Sequence, residues 1–342
     1  MKYKKAFVFL RRTVFLLVAV ALMLTVNRIF ERKTLTGEWN YTIKVGGFKN
    51  EPENSFSVLG FGSSHMYCTL NPISLYSETG IRSYVLATQQ QPLEATYYYI
   101  KESFKTQKPD VVLLEAFMLT GSDSPATEGV AHDAVDPFPS GIGKLEMINA
   151  MNTEDDKENY YINFLKYHTR WKELGKHDFS FKYKSATDPF RGYVFLKSTV
   201  PAKVTAVDYS VVESTPIAEQ KEEWLLKIMN LAEDEGARFV LLISPYEASV
   251  DDFGKYKYLH EFADKNGILV IDLNKNFADT GISPSTDFYD TGHLNVYGAE
   301  KASRYIGAVI AEKCGITPKD VSDTYLWEED LKYYNNRKQS KE

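Results

Sequence analysis

A serine that could act as a nucleophile follows the first short apolar run of the chain. Residues 56–61 form a predicted strand, and Gly62, Ser63 and Ser64 come directly at its end. On a tight turn at the carboxyl end of a strand, a serine hydroxyl is exposed and its own amide can face a developing oxyanion. Taken alone, a glycine followed by two serines more often marks a plain strand-to-helix turn with an N-capping serine.

An aspartate and a histidine share a loop just before a long predicted helix. Asp290 precedes His293 by three residues, so its carboxylate can bond one ring nitrogen and leave the other to take a proton from a serine. The pair could also be a helix-capping aspartate with a surface histidine, or half of a metal site. Together with Ser64 it is more specific, because an α/β sandwich can bring the two ends of the domain together at one edge of its sheet.

Strands that alternate with helices must position these side chains. Parallel strands need crossover connections, so apolar runs separated by helices predict parallel pairing. We predict an α/β fold of the flavodoxin-like kind, a doubly wound, mainly parallel sheet sandwiched by helices, with ligands at the carboxyl ends of the strands. The predicted strands are residues 56–61, 82–87, 111–114, 239–243 and 268–273, and the predicted helices are residues 92–107, 217–235, 253–265 and 296–312.

The alternation stops between residues 119 and 214, where acidic and glycine- or proline-containing loops meet an aromatic, basic stretch. We predict a mid-chain insertion over the active-site face, with helices of its own because a structureless loop of that size is unusual. The whole domain is predicted to span residues 34–335, before a polar, solvated tail at residues 336–342. Five residues of the insertion could bind an anionic or sugar acceptor: His132, Asp133, His168, Arg170 and Trp171. The alternative is that they simply pack the insertion on the core.

The first 33 residues are predicted to form a separate unit. Basic residues precede an apolar run at residues 13–26, and no acidic residue appears before Glu31. The run is short for a membrane span, but Ile29 and Phe30 can extend it if the flanking arginines snorkel. No small-x-small cleavage site follows. We therefore predict an uncleaved transmembrane signal anchor with a cytoplasmic N-terminus, which places the domain outside the cytoplasm.

Composition and motifs exclude several classes of function. The net charge of −6 gives no broad basic field, so nucleic acid is not an expected partner. No phosphate-binding glycine motif is present, so we expect no cofactor. We expect no metal either, because Asp290, His293 and His65 have no third ligand at helical spacing. The sequence leaves a bridge between the two cysteines, Cys68 and Cys314, open.

The two segments resemble the first and last blocks of the SGNH (GDSL-like) hydrolases and acyltransferases. Chain order, strand context and the spacing from Asp290 to His293 all match, over about residues 55–312 apart from the insertion. The anchor, the Gly-Ser-Ser block and the large insertion resemble the membrane-anchored branch that includes the teichoic-acid D-alanylation protein and the alginate O-acetylation proteins. The resemblance implies that Ser64 is the nucleophile, His293 the general base and Asp290 its orienting partner.

The middle of the chain departs from this family. A glycine after the second strand and an asparagine after the third usually complete the oxyanion hole, and neither has a counterpart here. We expect the hole to use the Ser64 amide and a donor from residues 88–91, with Gln91 as the candidate and a solvent-exposed loop glutamine as the alternative. Losing one donor costs roughly 10²–10³ in rate, so the site could be degenerate. His65 and Glu115 are further candidate substrate contacts, and either could be structural.

The resemblance implies an O-acyltransferase or esterase that acts on a cell-envelope polysaccharide or teichoic-acid-like polymer through a covalent acyl-enzyme. It implies residence in the bacterial cell membrane and a membrane-bound O-acyltransferase as the partner that supplies the acyl group. Two alternatives stay open: a plain lipid or carbohydrate esterase without a partner, and a non-catalytic polysaccharide-binding or scaffold protein on a degenerate SGNH fold.

Overall fold

A five-stranded sheet organises the part of the chain that the structure describes. In this computed structural model that part comprises residues 2–180, 187–275, 277–319 and 324–340. The strands are β1 (Val58–Gly62), β2 (Ser83–Ala87), β3 (Val111–Glu115), β4 (Arg238–Ile243) and β5 (Leu269–Asp272). All neighbouring strands run parallel, in the spatial order β2-β1-β3-β4-β5. The α/β fold with a parallel sheet is confirmed, and each predicted strand lies within two residues of its observed bounds.

Helices connect these strands and cover the sheet. Those before and within the sheet's first half are α1 (Lys2–Phe30), α2 (Tyr41–Phe48), α3 (Ser64–Thr69), α4 (Pro72–Thr79), α5 (Leu93–Ser103) and α6 (Phe117–Thr120). Between β3 and β4 lie α7 (Glu128–Val135), α8 (Ile142–Ala150), α9 (Glu158–Tyr161), α10 (Asn163–Tyr167) and α11 (Glu219–Asp234), with 3₁₀ turns at His168–Lys172 and Lys176–Phe179. The remaining helices are α12 (Val250–Asn266), α13 (Phe277–Thr280), α14 (Val296–Cys314) and α15 (Thr324–Gln339).

Two hydrophobic cores form because successive side chains of a strand point to opposite faces of the sheet. Phe61 and Leu114 pack into one core together with apolar residues of α5 and α11. Leu113 and Leu242 pack into the other, which contains apolar residues of α4 and α14. The sheet is therefore buried on both faces, which explains why its strands are short continuous apolar runs rather than alternating ones.

The parallel register brings the carboxyl ends of the strands to one edge. Gly62 at the end of β1 pairs with Ala87 at the end of β2, and Glu115 at the end of β3 pairs with Leu242 of β4. Each following loop starts from this edge, so residues distant in sequence meet there. Four candidate site residues lie at or just after the ends of β1, β2 and β3: Ser64, His65, Gln91 and Glu115.

The predicted insertion has helices of its own. Its first part carries α7 to α10 and both 3₁₀ turns, and residues 181–186 lie outside the described residues. From residue 187 the chain runs without a helix to residue 218. Val194 donates a backbone hydrogen bond to Tyr67, and Val296 donates one to Leu196. These bonds fasten the segment beside α3 and α14.

Helix α1 is long and apolar enough to cross a membrane. It is the one such helix among the described residues, covers Tyr3–Phe30 at a mean hydropathy of 2.2, and buries none of that window in the protein. A membrane anchor and a signal sequence both meet these criteria.

The C-terminus differs from the sequence prediction, and the open question of a disulfide is answered. Residues 336–342 were predicted to be a polar, solvated tail, but α15 extends to Gln339, and Arg337 and Lys338 bond to Glu38 and Glu300. Burial of Trp327 holds this helix on the domain, because the indole packs against the core and against the guanidinium groups of two arginines. The disulfide left open by the sequence is absent, since both cysteines are free.

Candidate active site

Ser64 lies on the turn between β1 and α3. Ser63 is the N-cap of α3 and accepts a hydrogen bond from the His65 amide at 3.2 Å, so Ser64 is the first residue of the helix. The preceding Gly62 has φ of +145°, and a Cβ there would lie 2.9 Å from the Cβ of Glu115. A glycine is required at this position by both its backbone conformation and the close approach of β3. The sequence motif therefore has a steric cause.

His293 is held by a short loop that precedes α14. The loop closes through an isolated bridge between Phe288 and Leu294, and Tyr289 donates a backbone hydrogen bond of 2.8 Å to His293. One carboxylate oxygen of Asp290 accepts the His293 amide at 2.8 Å. These bonds fix the direction in which the imidazole leaves the backbone.

The three side chains form one hydrogen-bonded series. The Nε2 atom of His293 lies 2.9 Å from the Oγ of Ser64. Its Nδ1 atom lies 2.9 Å and 3.0 Å from the two carboxylate oxygens of Asp290. Ser64 is 7% exposed, whereas the side chains of His293 and Asp290 are 26% and 44% exposed. The geometry is that of a nucleophile, a base and the group that orients the base.

Glu115 lies beneath the serine turn. Its carboxyl accepts the Ser63 hydroxyl at 2.9 Å and the Phe117 amide at 2.9 Å, and the residue is 1% exposed. Burial raises the pKa of Glu115 to about 8. The carboxyl is therefore largely neutral at pH 7. Its hydrogen-bond partners in the described part of the chain include Ser63 and Phe117. A structural role for Glu115 agrees with these contacts, and the substrate contact expected from sequence stays a prediction.

His65 is packed beside the histidine of the series. Its ring stacks on Phe117 at 4.1 Å between centroids, meets Tyr246 edge-on at 4.9 Å and lies 5.1 Å from the His293 ring. Burial, and next the charge of His293, hold the pKa of His65 well below its usual value. A neutral His65 thus forms a wall of the site beside His293. Whether it also touches a substrate stays a prediction.

Gln91 is buried rather than solvent-exposed. Its amide nitrogen donates to the Thr96 hydroxyl at 3.0 Å, and its carbonyl oxygen accepts from Thr88 at 3.3 Å. The residue has no exposed surface. These bonds link the loop after β2 to the first turn of α5. The role of Gln91 as an oxyanion donor stays a prediction, and it requires the amide to give up or share these partners.

Sequence reasoning missed the contacts of three residues that shape the site. Ser63 links the N-cap of α3 to Glu115. Phe117 and Tyr246 enclose the His65 ring from two sides. The rule that ligands bind at the carboxyl ends of parallel strands could have found Phe117 and Tyr246, because they follow β3 and β4 directly. No sequence signal specifies the bond between Ser63 and Glu115.

A cavity of about 410 Å³ opens next to this cluster. Phe117 lines it and also stacks on His65, so the cavity and the Ser64 cluster share a wall. Glu94, Lys221 and Trp224 line it as well. It therefore offers an aromatic face and charged groups of both signs to a ligand.

The candidate acceptor-binding residues of the insertion have other described contacts. Asp133 pairs with Arg32 at 2.5 Å, and His132 bonds Asp136 at 3.0 Å. Arg170 donates to the backbone oxygens of Phe30, the last residue of α1, and of Glu31, which follows it. These contacts attach the insertion to the end of α1, and acceptor binding by this group stays a prediction. Among the described residues no group of three or more histidine, cysteine, aspartate or glutamate side chains is placed to hold a metal ion.

Comparison with known proteins finds similarity to solved structures alone. No protein-family model matches the chain, and no curated protein matches it. Among solved structures, the chain is similar to a protein from Desulfitobacterium hafniense DCB-2 that is assigned to the G-D-S-L family of lipolytic proteins. The match covers 75% of this chain and 99% of that chain, with a TM-score of 0.38 and 12% identity. Similarity at this level carries no argument about activity.

Proposed function

We propose that this protein is a serine-dependent esterase or acyltransferase with Ser64 as its nucleophile. The observation that carries the proposal is the series from Ser64 through His293 to Asp290 at the carboxyl edge of a parallel sheet. Nucleophilic catalysis by serine needs a base within hydrogen-bond reach and a third group that orients the base. The resemblance of the two sequence segments to the SGNH families supports the same assignment of roles.

In the proposed reaction, the Oγ of Ser64 attacks the carbonyl carbon of an acyl ester while Nε2 of His293 takes its proton. The tetrahedral intermediate collapses, the bond to the leaving alcohol breaks, and His293 returns the proton to that alcohol. An acyl group is then bound to Ser64. A second hydroxyl attacks this acyl-enzyme, His293 again takes and returns a proton, and Ser64 is released. Water as the second reactant makes the protein an esterase, and a sugar or polyol hydroxyl makes it a transferase.

Stabilisation of the oxyanion has one clear source in this proposal. As the first residue of α3, Ser64 has an amide without an acceptor inside the helix. That amide can donate to the oxyanion, and a second donor from the loop after β2 completes the hole, with Gln91 as the candidate. A single donor is worth roughly 10²–10³ in rate, so the number of donors decides whether turnover is fast or slow.

We assign the acceptor to the class of cell-envelope polysaccharides or teichoic-acid-like polymers, and the acyl supply to a membrane-bound O-acyltransferase. The family resemblance is the main support. A second is α1, which would hold the domain beside a membrane-borne donor if it remains attached. The basic flank of α1 favours an extracytoplasmic domain. The cavity that carries Trp224 beside the serine cluster suits a sugar, since an aromatic face packs on the apolar side of a pyranose.

The first test is covalent labelling of the full chain, in detergent micelles, with a fluorophosphonate probe that reacts with activated serines. We expect labelling of the wild type and its loss in Ser64→Ala and His293→Ala. Ser210→Ala is the matched control, because Ser210 is an exposed loop serine. Persistent labelling of the folded Ser64→Ala protein would refute the assignment of the nucleophile.

A second test separates transfer from hydrolysis and from binding alone. Turnover of a small acetyl ester that increases on addition of a polyol or oligosaccharide, with an acylated acceptor as product, supports the transferase. Turnover that no acceptor changes supports the plain esterase. The non-catalytic alternative is motivated by the lack of an evident second oxyanion donor. A well-folded wild type that the probe does not label but that still binds polysaccharide would support it.

A further inference from the structure

The part of the insertion at residues 162–179 is fastened to the end of α1. The side chain of Asn27 accepts the Phe164 amide at 3.1 Å and donates to the Tyr161 carbonyl at 3.5 Å. The rings of Phe30 and Phe164 meet edge-on with centroids 5.0 Å apart. If α1 spans a bilayer, its last turn marks the level at which the chain leaves the hydrocarbon. The 162–179 segment is then held at that level.

A second set of bonds makes this attachment rigid. Arg170 donates to the backbone oxygens of Phe30 at 2.9 Å and Glu31 at 2.6 Å, and pairs with Asp178 at 3.1 Å. Lys33 also bonds Asp178, whose side chain is fully buried. The end of a helix leaves unpaired carbonyls, and an arginine from the insertion satisfies them here. The segment and the helix end are therefore parts of one structure.

The 162–179 segment exposes large apolar side chains. Fourteen large hydrophobic residues outside α1 are exposed in the described part of the chain, and five of them lie within these 18 residues. Trp171 is 64% exposed and Phe179 is 59% exposed. The five are Ile162, Phe164, Leu165, Trp171 and Phe179. A concentration of exposed apolar side chains marks an interaction surface rather than ordinary protein surface.

Basic residues accompany this apolar surface. The segment contains four lysines and arginines and two acidic residues, although the whole chain carries a net charge of −6. Lys172 and Lys176 are exposed, and the ammonium of Lys172 lies 5.3 Å from the centre of the Trp171 ring. Tryptophan and other apolar side chains flanked by lysines are typical of segments that lie in the headgroup region of a bilayer.

We propose that the 162–179 segment is a second membrane contact, which lies in the headgroup layer of the same leaflet that α1 leaves. Trp171, Phe179 and Leu165 would enter the boundary of the acyl chains, and Lys172 and Lys176 would meet the phosphates of anionic lipids. The inference rests on α1 remaining a membrane helix, and it does not depend on the catalytic proposal. With two attachments the domain has one fixed orientation to the bilayer, whereas a single helix would leave it free to rotate.

The experiment uses the full chain in lipid nanodiscs, with an environment-sensitive fluorophore on single introduced cysteines. Trp171→Cys and Phe179→Cys report on the segment, and Val211→Cys, 82% exposed in a loop outside it, is the matched control. Cys314→Ser removes the more accessible native thiol, since Cys68 is buried. Co-elution of the protein with the disc shows that α1 is embedded, and the same labels on Ser64→Ala show that the result is independent of catalysis.

For the probes at 171 and 179 we expect quenching by doxyl-labelled lipid and protection from aqueous iodide. For the probe at 211 we expect quenching by iodide and none by the labelled lipid. Quenching at 171 and 179 that matches the control would overturn the proposal. Protection from both quenchers would also overturn it, because a protein surface, a second copy or a partner, would then cover the segment. Lipid quenching should be stronger in discs with phosphatidylglycerol than in neutral discs, and Lys172→Glu with Lys176→Glu should abolish that difference. An unchanged difference would remove the anionic-lipid part.

Discussion

Replacing Glu115 by glutamine should remove a pH dependence of stability that the burial of this carboxyl creates. Burial raises the pKa of Glu115 to about 8, from an ordinary value near 4.5. Between these values the folded state keeps the proton and the unfolded state releases it. The contribution of Glu115 is fully present below pH 4.5 and is lost as the pH rises toward 8. Stability should thus fall with rising pH in this window.

The size of the effect follows from the two pKa values. Integrating the difference in bound protons from pH 5 to pH 7 gives a loss of about 2–3 kcal/mol in the free energy of unfolding. In Glu115→Gln this loss should disappear. The bonding pattern survives, because a glutamine oxygen can accept the Phe117 amide and its nitrogen can donate to the Ser63 hydroxyl. The variant is therefore expected to stay folded, with an unchanged serine turn.

Urea unfolding at pH 5, 6 and 7, followed by tryptophan fluorescence in a constant detergent, measures this difference. The quantity of interest is the wild-type free energy minus that of Glu115→Gln, since other titrating groups cancel. Glu219→Gln removes an exposed carboxylate and controls for the general effect of the charge change. If the difference between wild type and Glu115→Gln is the same at all three pH values, Glu115 titrates as an ordinary carboxyl and the reasoning is wrong.

Two further substitutions test the serine series and the turn that positions it. Asp290→Asn should lower kcat for ester turnover by on the order of 10⁴-fold, because an asparagine that donates to Nδ1 of His293 leaves the proton on Nε2, where the base is needed. A small effect on kcat in a folded variant would show that Asp290 does not set the tautomer. Gly62→Ala should destabilise the protein by about 1–3 kcal/mol and abolish probe labelling, since φ is +145° and the new methyl group meets the Glu115 side chain. Gly129→Ala, in open space at the start of α7, is the control in thermal unfolding, and equal melting temperatures of the two variants would contradict the steric argument.

The sheet could be predicted from sequence because its strands are short, apolar and separated by helices. Val111 to Leu114 is such a run, and the observed strand adds only Glu115. The juxtaposition of Ser64 with His293 was predictable for the same reason. Parallel strands end at one edge, and the loop before α14, which follows β5 and α13, meets the turn after β1 there.

Other features depend on contacts that no local pattern encodes. Helix α15 contains two buried residues, Trp327 and Tyr334, in an otherwise polar sequence, so its amphipathic signal is weak. Tyr334 bonds both Asn71 and Glu300, which are far away in the chain. The buried bonds of Gln91 were unpredictable because a glutamine in a polar loop usually faces solvent. Tertiary bonding rather than propensity decides these positions.

Glu115 also clarifies how a serine turn can tolerate a carboxyl directly beneath it. An ionised Glu115 would oppose the negative charge that develops beside Ser64 in the proposed reaction, since two like charges in a poorly solvated region repel strongly. Burial keeps the carboxyl protonated at pH 7, so it can bond the turn through Ser63 without adding that charge. Activity should then decline as the pH rises through about 8, and Glu115→Gln should retain its activity above that pH. An alkaline decline of equal size in both proteins would assign it to another group.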